Sequence, residues 1–206
     1  MNIRVAHSVL IRGHLILKDD QKIFESPPVP FSQFADLIYN ELRIGYPKFH
    51  KMDNLSKLGF IGADILLKNN SLDIKKNPYE TGIILSNRNS SLDTDVKYYN
   101  MVRTGIASPA VFVYSLPNIV IGEICIRHGI KGENTFFISD RYNISSQVDY
   151  INNLFEKGVF NICIGGWVEL IGESYEAFLY LAIKSANDNM TQPHTTETIK
   201  KLYHNE

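Results

Sequence analysis

Cysteine and tryptophan are scarce and neither sign of charge is in excess: the 206 residues hold two Cys, one Trp, and 21 Lys+Arg against 22 Asp+Glu. Two thiols, Cys125 and Cys163, are too few for a disulfide framework and fit no metal-ligand spacing. Each sits among Ile and Gly, the setting of a buried core thiol. The formal charge of −1 lacks the basic excess of a general nucleic-acid binder. No apolar run approaches the roughly 18 residues of a membrane span. The opening Met1-Asn-Ile-Arg-Val-Ala-His-Ser reaches polar residues too early for a secretion signal, so a cytoplasmic protein is expected.

Familiar chemical motifs are missing too. There is no P-loop, dinucleotide glycine fingerprint, G-x-S-x-G elbow or zinc-binding His pair. The six histidines are scattered. His194 and His204 fall in a polar stretch and read as solvated, His14 as a turn residue, and His7 as a core or edge histidine on a strand. His128, at the end of an apolar helical segment, reads as a partner for the helix dipole. Asp93 and Asp95 flank Thr94 but offer too few oxygens for a hard cation, and read as a solvated helix N-terminus. Arg43, Lys48, Lys51 and Lys57, interleaved with Tyr46 and Phe49, read as a solvated face in preference to a dock for an acidic partner. No metal and no cofactor is expected.

What is present is one globular domain over 1–184, followed by a polar, Pro-interrupted tail over 185–206 with at most a short helix at 198–203. Apolar, β-branched stretches at 3–11 and 15–17 around Arg12-Gly-His predict a hairpin. Phe31, Phe34, Ala35, Ile38 and Leu42 recur at helical spacing. A second helix starts at Asp53 or Asn54 and carries Gly59 and Gly62 on its packing face, where another backbone could approach closely. Thr81 to Asn87 predicts a strand buried on both faces, followed by a helix from Ser90 or Ser91 through Met101. Residues 108–118 are apolar yet broken by Pro109 and Pro117, a combination that calls for cover by something else. A helix over 118–128 closed by Gly129, a strand over 134–139 and a helix over 144–157 follow. Two strands come last, at 159–171, interrupted at Gly165-Gly166, and at 176–184. The alternation predicts a layered α/β domain with a largely parallel sheet and antiparallel additions at its edges.

Four segments carry a family likeness. They are Tyr46-Pro-Lys-Phe-His-Lys-Met-Asp-Asn-Leu-Ser-Lys-Leu-Gly59; Thr81-Gly-Ile-Ile-Leu-Ser-Asn with Ser90-Ser-Leu-Asp-Thr-Asp95; Ser108-Pro-Ala-Val-Phe to Asn118 with Gly122-Glu123; and Gly129-Ile-Lys-Gly-Glu-Asn134. With Ile164-Gly-Gly-Trp-Val-Glu169, they resemble in order and spacing the N-terminal half of β-ketoacyl synthases. The nearest likeness is to small ketosynthase-like proteins of aryl polyene and flexirubin-type gene clusters. The resemblance covers most of residues 1–184. It implies a thiolase-like half, layered α/β/α, with a five-stranded mixed sheet and an N-terminal hairpin.

The same resemblance places the family's nucleophilic cysteine at Asp140 or Arg141, so no catalytic residue carries over. Cys125 and Cys163 fall on neighbouring elements, and Ser139 lacks a positioned base. The family's two histidines come from a second half that this chain does not reach. Ser139, Asp140, Arg141, Tyr142 and Asn118 remain as pocket candidates, with Asp140 and Arg141 read most simply as capping and pairing at a helix N-terminus. Val113, Tyr114, Thr135, Phe136 and Phe137 are the implied dimer-interface residues. The expectation is a protein of acyltransferase ancestry, inactive alone. It would be a noncatalytic, chain-length-factor-like partner in fatty-acid or aryl polyene-type polyketide synthesis, as a homodimer or a heterodimer with a ketosynthase, and with an acyl carrier protein as a further partner. The alternative is an altered acyl-thioester hydrolase or decarboxylase using a pocket near Asp140.

Overall fold

The computed structural model describes residues 2–68, 72, 74–185 and 192–205. Strand β1 (Asn2–Arg12) turns at Gly13-His14 into β2 (Leu15–Lys18), which turns at Asp19-Asp20 into β3 (Gln21–Glu25). Both Asp residues have positive φ, as a tight two-residue hairpin turn requires. Helix α1 (Phe31–Glu41) and helix α2 (Asn54–Leu67) follow. Asp53 caps α2: its Oδ1 accepts from the Ser56 amide at 3.0 Å, while its Oδ2 accepts from Thr94 Oγ1 at 2.7 Å.

Strand β4 (Thr81–Asn87) is buried along its whole length, as its continuous apolar run predicts. Helices α3 (Leu92–Arg103), α4 (Pro109–Val113) and α5 (Ile119–His128) lead to strand β5 (Asn134–Ile138). Gly129, left-handed at φ 73°, ends α5. Helix α6 (Ile144–Glu156), strands β6 (Ile162–Ile171), β7 (Ser174–Ser185) and β8 (Gln192–Pro193), and helix α7 (Thr196–His204) complete the chain.

Side-chain alternation on the strands divides the core into two layers. Ile83 and Leu85 of β4 join Val9, Ile11, Val168 and Leu179 beneath α1, α2 and α5. Ile84 joins Cys163, Phe178, Tyr180 and Ala182 beneath α6 and α7. The result is the expected α/β/α layering with the hairpin at its start.

The sheet is larger than the expected five strands. Eight strands run in the order β3-β2-β1-β7-β6-β4-β5, with β8 beside β1. Parallel pairing is confined to β5-β4-β6, and every other pairing is antiparallel, so the largely parallel expectation is corrected. The local patterns of β1, β6 and β7 do not encode strand direction; only the long crossovers through α5 and α6 force parallel pairing.

Two further expectations change. The stretch 159–171 is one strand from Ile162 through both glycines, because Gly165 leaves room for Tyr180 of β7, whose ring a Cβ there would overlap. Within 185–206, read from sequence as a polar tail, β8 pairs with β1 and α7 buries Ile199 beside α6. Arg12 Nη2 donates to the Tyr203 carbonyl, and Tyr203 Oη donates to Glu176, fixing α7 to the sheet. Among the described residues, no helix is long and apolar enough to cross a membrane.

Candidate functional site

The parallel strands β4 and β5 end side by side, and α6 begins above them, the end of an α/β sheet where ligand crevices form. A cavity of about 320 Å³ opens there. Ser86, Phe137, Ile138, Ser139, Asn143 and Gln147 line it, with Ser146 and Tyr150.

Of the five pocket candidates, only Ser139 lines this cavity. Its Oγ donates to the Arg141 carbonyl at 2.8 Å, and no base is among its hydrogen-bond partners. Asp140 and Arg141 are exposed outside the cavity lining. The cap of α6 is Asn143, whose Oδ1 accepts from the Ser146 amide at 3.3 Å, so the capping role read for Asp140 is corrected. Asn118 lies at the start of α5 and is exposed.

Tyr142 instead enters a buried polar network that sequence inspection missed. Its hydroxyl donates to Gln147 Oε1 at 2.8 Å, and Gln147 Nε2 donates to the carbonyls of Gly166 at 3.0 Å and Ile84 at 3.3 Å. Tyr180 Oη lies 3.2 Å from His194 Nε2, and His194 Nδ1 lies 2.7 Å from Asn152 Oδ1. His194 is 4% exposed, which corrects its reading as a solvated tail residue. Burial lowers its pKa to about 4, so the ring is neutral. The two thiols are equally inert. Cys163 is buried and Cys125 half-buried, and burial pushes both up, Cys125 to about 11. Among the described residues no group of three or more His, Cys, Asp or Glu is placed to hold a metal ion.

The interface candidates divide as well. Val113 on α4 and Phe137 on β5 are exposed, while Thr135 and Phe136 are half-buried. Tyr114 points inward: its hydroxyl donates to Glu123 Oε1 at 2.9 Å, and Lys48 Nζ lies 2.9 Å from the other oxygen of this buried carboxylate. Lys48 is therefore an ion-pair partner and not part of a purely solvated face. Ser91 Oγ donates to the Ser115 carbonyl at 2.6 Å, a second tie on the same segment.

These ties anchor the Tyr114 hydroxyl and the Ser115 carbonyl and leave apolar side chains of 108–118 outward. Helix α4 buries no residue, and Phe112, Val113 and Leu116 are about half exposed. Helix α3 continues the pattern with Leu92, Val96, Tyr99 and Val102, and Ile106 follows. In β5, Phe137 and Ile138 are exposed on a strand at the open end of the sheet.

No protein-family model and no curated protein sequence matches the chain. Solved structures do match it in fold. "The ishigamide ketosynthase/chain length factor" is 15% identical with a TM-score of 0.70, covering 92% of this chain and 64% of that one. A chain of the ketosynthase ApeO in complex with its chain length factor ApeC from Xenorhabdus doucetiae is 12% identical with a TM-score of 0.60, covering 99% of this chain and 91% of that one. A type II polyketide synthase acyl-carrier protein in complex with its ketosynthase, AntDE:AntF, is 15% identical with a TM-score of 0.62, covering 89% and 62%. The chain thus spans under two thirds of the first and third of these and nearly all of the second. The chain shares the fold of these ketosynthase structures.

Proposed function

We propose that this chain is a noncatalytic, chain-length-factor-like subunit that pairs with a β-ketoacyl synthase. The observation that carries the reading is the outward-facing apolar surface of α3 and α4. Val96, Tyr99, Val102, Ile106, Phe112, Val113 and Leu116 are each between 47% and 61% exposed. Contiguous apolar surface of that kind belongs under a partner.

The two ends of the sheet support the same reading. Edge strand β3 is charged and solvent-facing, with Lys22 paired to Glu25 at 2.8 Å, the usual protection against edge-to-edge pairing. Edge strand β5, Asn134-Thr-Phe-Phe-Ile138, has no charged residue and exposes Phe137 and Ile138. One edge is defended and the other is left open to a partner strand. Structures of the same fold include ketosynthases solved with their chain length factor and with an acyl-carrier protein. A ketosynthase subunit is the occupant that accounts for this surface.

The test is reconstitution with the ketosynthases of the same organism and their acyl and malonyl carrier proteins. This chain alone is expected to form no condensation product, and adding it to its cognate ketosynthase to change the length distribution of the products. An unchanged distribution with every such ketosynthase contradicts the proposal. So does turnover by this chain alone that Asp140→Asn abolishes.

A further inference from the structure

At the opposite end of the parallel strands, where α1, α2 and α5 finish, a second cavity of about 380 Å³ opens. Among the described residues, Arg43, Lys68, Lys75 and Arg127 line it with His128 and one carboxylate, Asp64. In a chain with a net charge of −1 this is a strong local excess of positive charge.

Part of that charge is already used. Lys68 Nζ donates to the Leu42 carbonyl at 3.1 Å, which answers the end of α1. Arg127 donates from Nε to Asp64 at 2.9 Å and from Nη2 to the Ile44 carbonyl at 2.8 Å. Lys18, from outside the lining, holds the carbonyls of Ile65 and Lys68 at the end of α2. Arg43 and Lys75 are exposed, and among the described residues no hydrogen bond holds either side chain. His128 Nε2 is buried and also lacks a hydrogen-bond partner among the described residues, lying 3.7 Å from Asp64 Oδ1. Burial lowers the His128 pKa to about 4 against the pull of Asp64, and Arg127 and Lys75 lower it further.

Arg43 also holds an unusual backbone position. It follows α1 with φ 51°, where its amide donates to Asn40 and that of Ile44 to Tyr39. Glycine is the favoured residue at this left-handed helix stop, and a side chain there carries a backbone cost. The cost is borne by a guanidinium that lines the cavity.

We propose that this cavity binds the diphosphate group of a small molecule, gripped by Arg43 and Lys75, with Arg127 held in place by Asp64. Arg and Lys around a concave site suit phosphate oxygens through charge-assisted hydrogen bonds. Inorganic diphosphate and a nucleoside diphosphate share the recognised group. The site is independent of the docking surface, which lies on other elements.

The experiment is calorimetric titration of the full-length protein with inorganic diphosphate and, separately, with ADP, at constant ionic strength with sulfate as the control. The informative variants are Arg43→Gly, which relieves the left-handed strain and therefore folds, and Lys75→Ala. Saturable diphosphate binding that each variant weakens roughly tenfold or more supports the site. ADP binding tighter than diphosphate identifies a nucleotide as the source, and equal binding identifies the inorganic group as the whole of what is recognised. No saturable binding, affinity unchanged in both variants, or an equal response to sulfate overturns it.

Discussion

Histidine 194 shows how much one residue's surroundings decide. Its ring is neutral because burial disfavours the charged form, while Tyr180 and Asn152 lie against its two nitrogens. Its folded pKa, about 4, lies below the ordinary value of 6.5, so the unfolded chain takes up the proton first. Stability from this group is full above about pH 6.5 and is lost as pH falls toward about 4. Urea unfolding is expected to show about 2 kcal/mol less stability from this group at about pH 5 than at about pH 7. His128, lowered to a similar value, contributes in the same window. His194→Gln is expected to flatten the dependence while keeping that of His128; an unchanged slope contradicts the assignment. None of this was legible in the polar sequence around His194, because its partners lie 14 and 42 residues away. Asp53, by contrast, is an N-cap in the sequence and in the structure, because capping is local.

Helices and strands were more legible than single side chains, within limits that the elements themselves explain. The two α2 glycines, expected to admit another backbone, admit side chains instead: a Cβ on Gly59 would overlap Val120 of α5, and one on Gly62 would overlap Leu179 of β7. Gly122, in α5, has open space around it. Gly59→Ala is therefore expected to cost about 1–3 kcal/mol through overpacking, and Gly122→Ala to gain up to about 1 kcal/mol from helix propensity. Thermal unfolding of the two variants checks both signs; equal effects would show that α2 and α5 are less closely packed than described. Strand β3 escaped the sequence because Gln21-Lys-Ile-Phe-Glu25 is a solvated edge with little alternation. Helix α3 was legible as a helix, and its exposed apolar stripe emerges only in the structure. Spacing identifies an apolar face without revealing whether the same chain covers it.

At the scale of the whole molecule, the two faces and two edges of the sheet are finished differently. Helices cover both faces, charge protects the β3 edge, and the β5 edge and the α3–α4 surface are apolar and open. The order and spacing of motifs made the ketosynthase fold legible, since each motif occupies a fixed turn or cap along the chain. The buried network around Gln147 was not legible, because it is assembled from α6, β6, β7 and the segment before α7. The central claim is that the open surface exists to receive a ketosynthase. Native mass measurement of this chain mixed with each ketosynthase of its organism tests that most directly, alongside a variant carrying Phe112→Asp and Phe137→Lys. A one-to-one complex that forms with the unaltered chain and is lost in the folded variant is the predicted result. A chain that stays alone or self-associated with every ketosynthase contradicts the account.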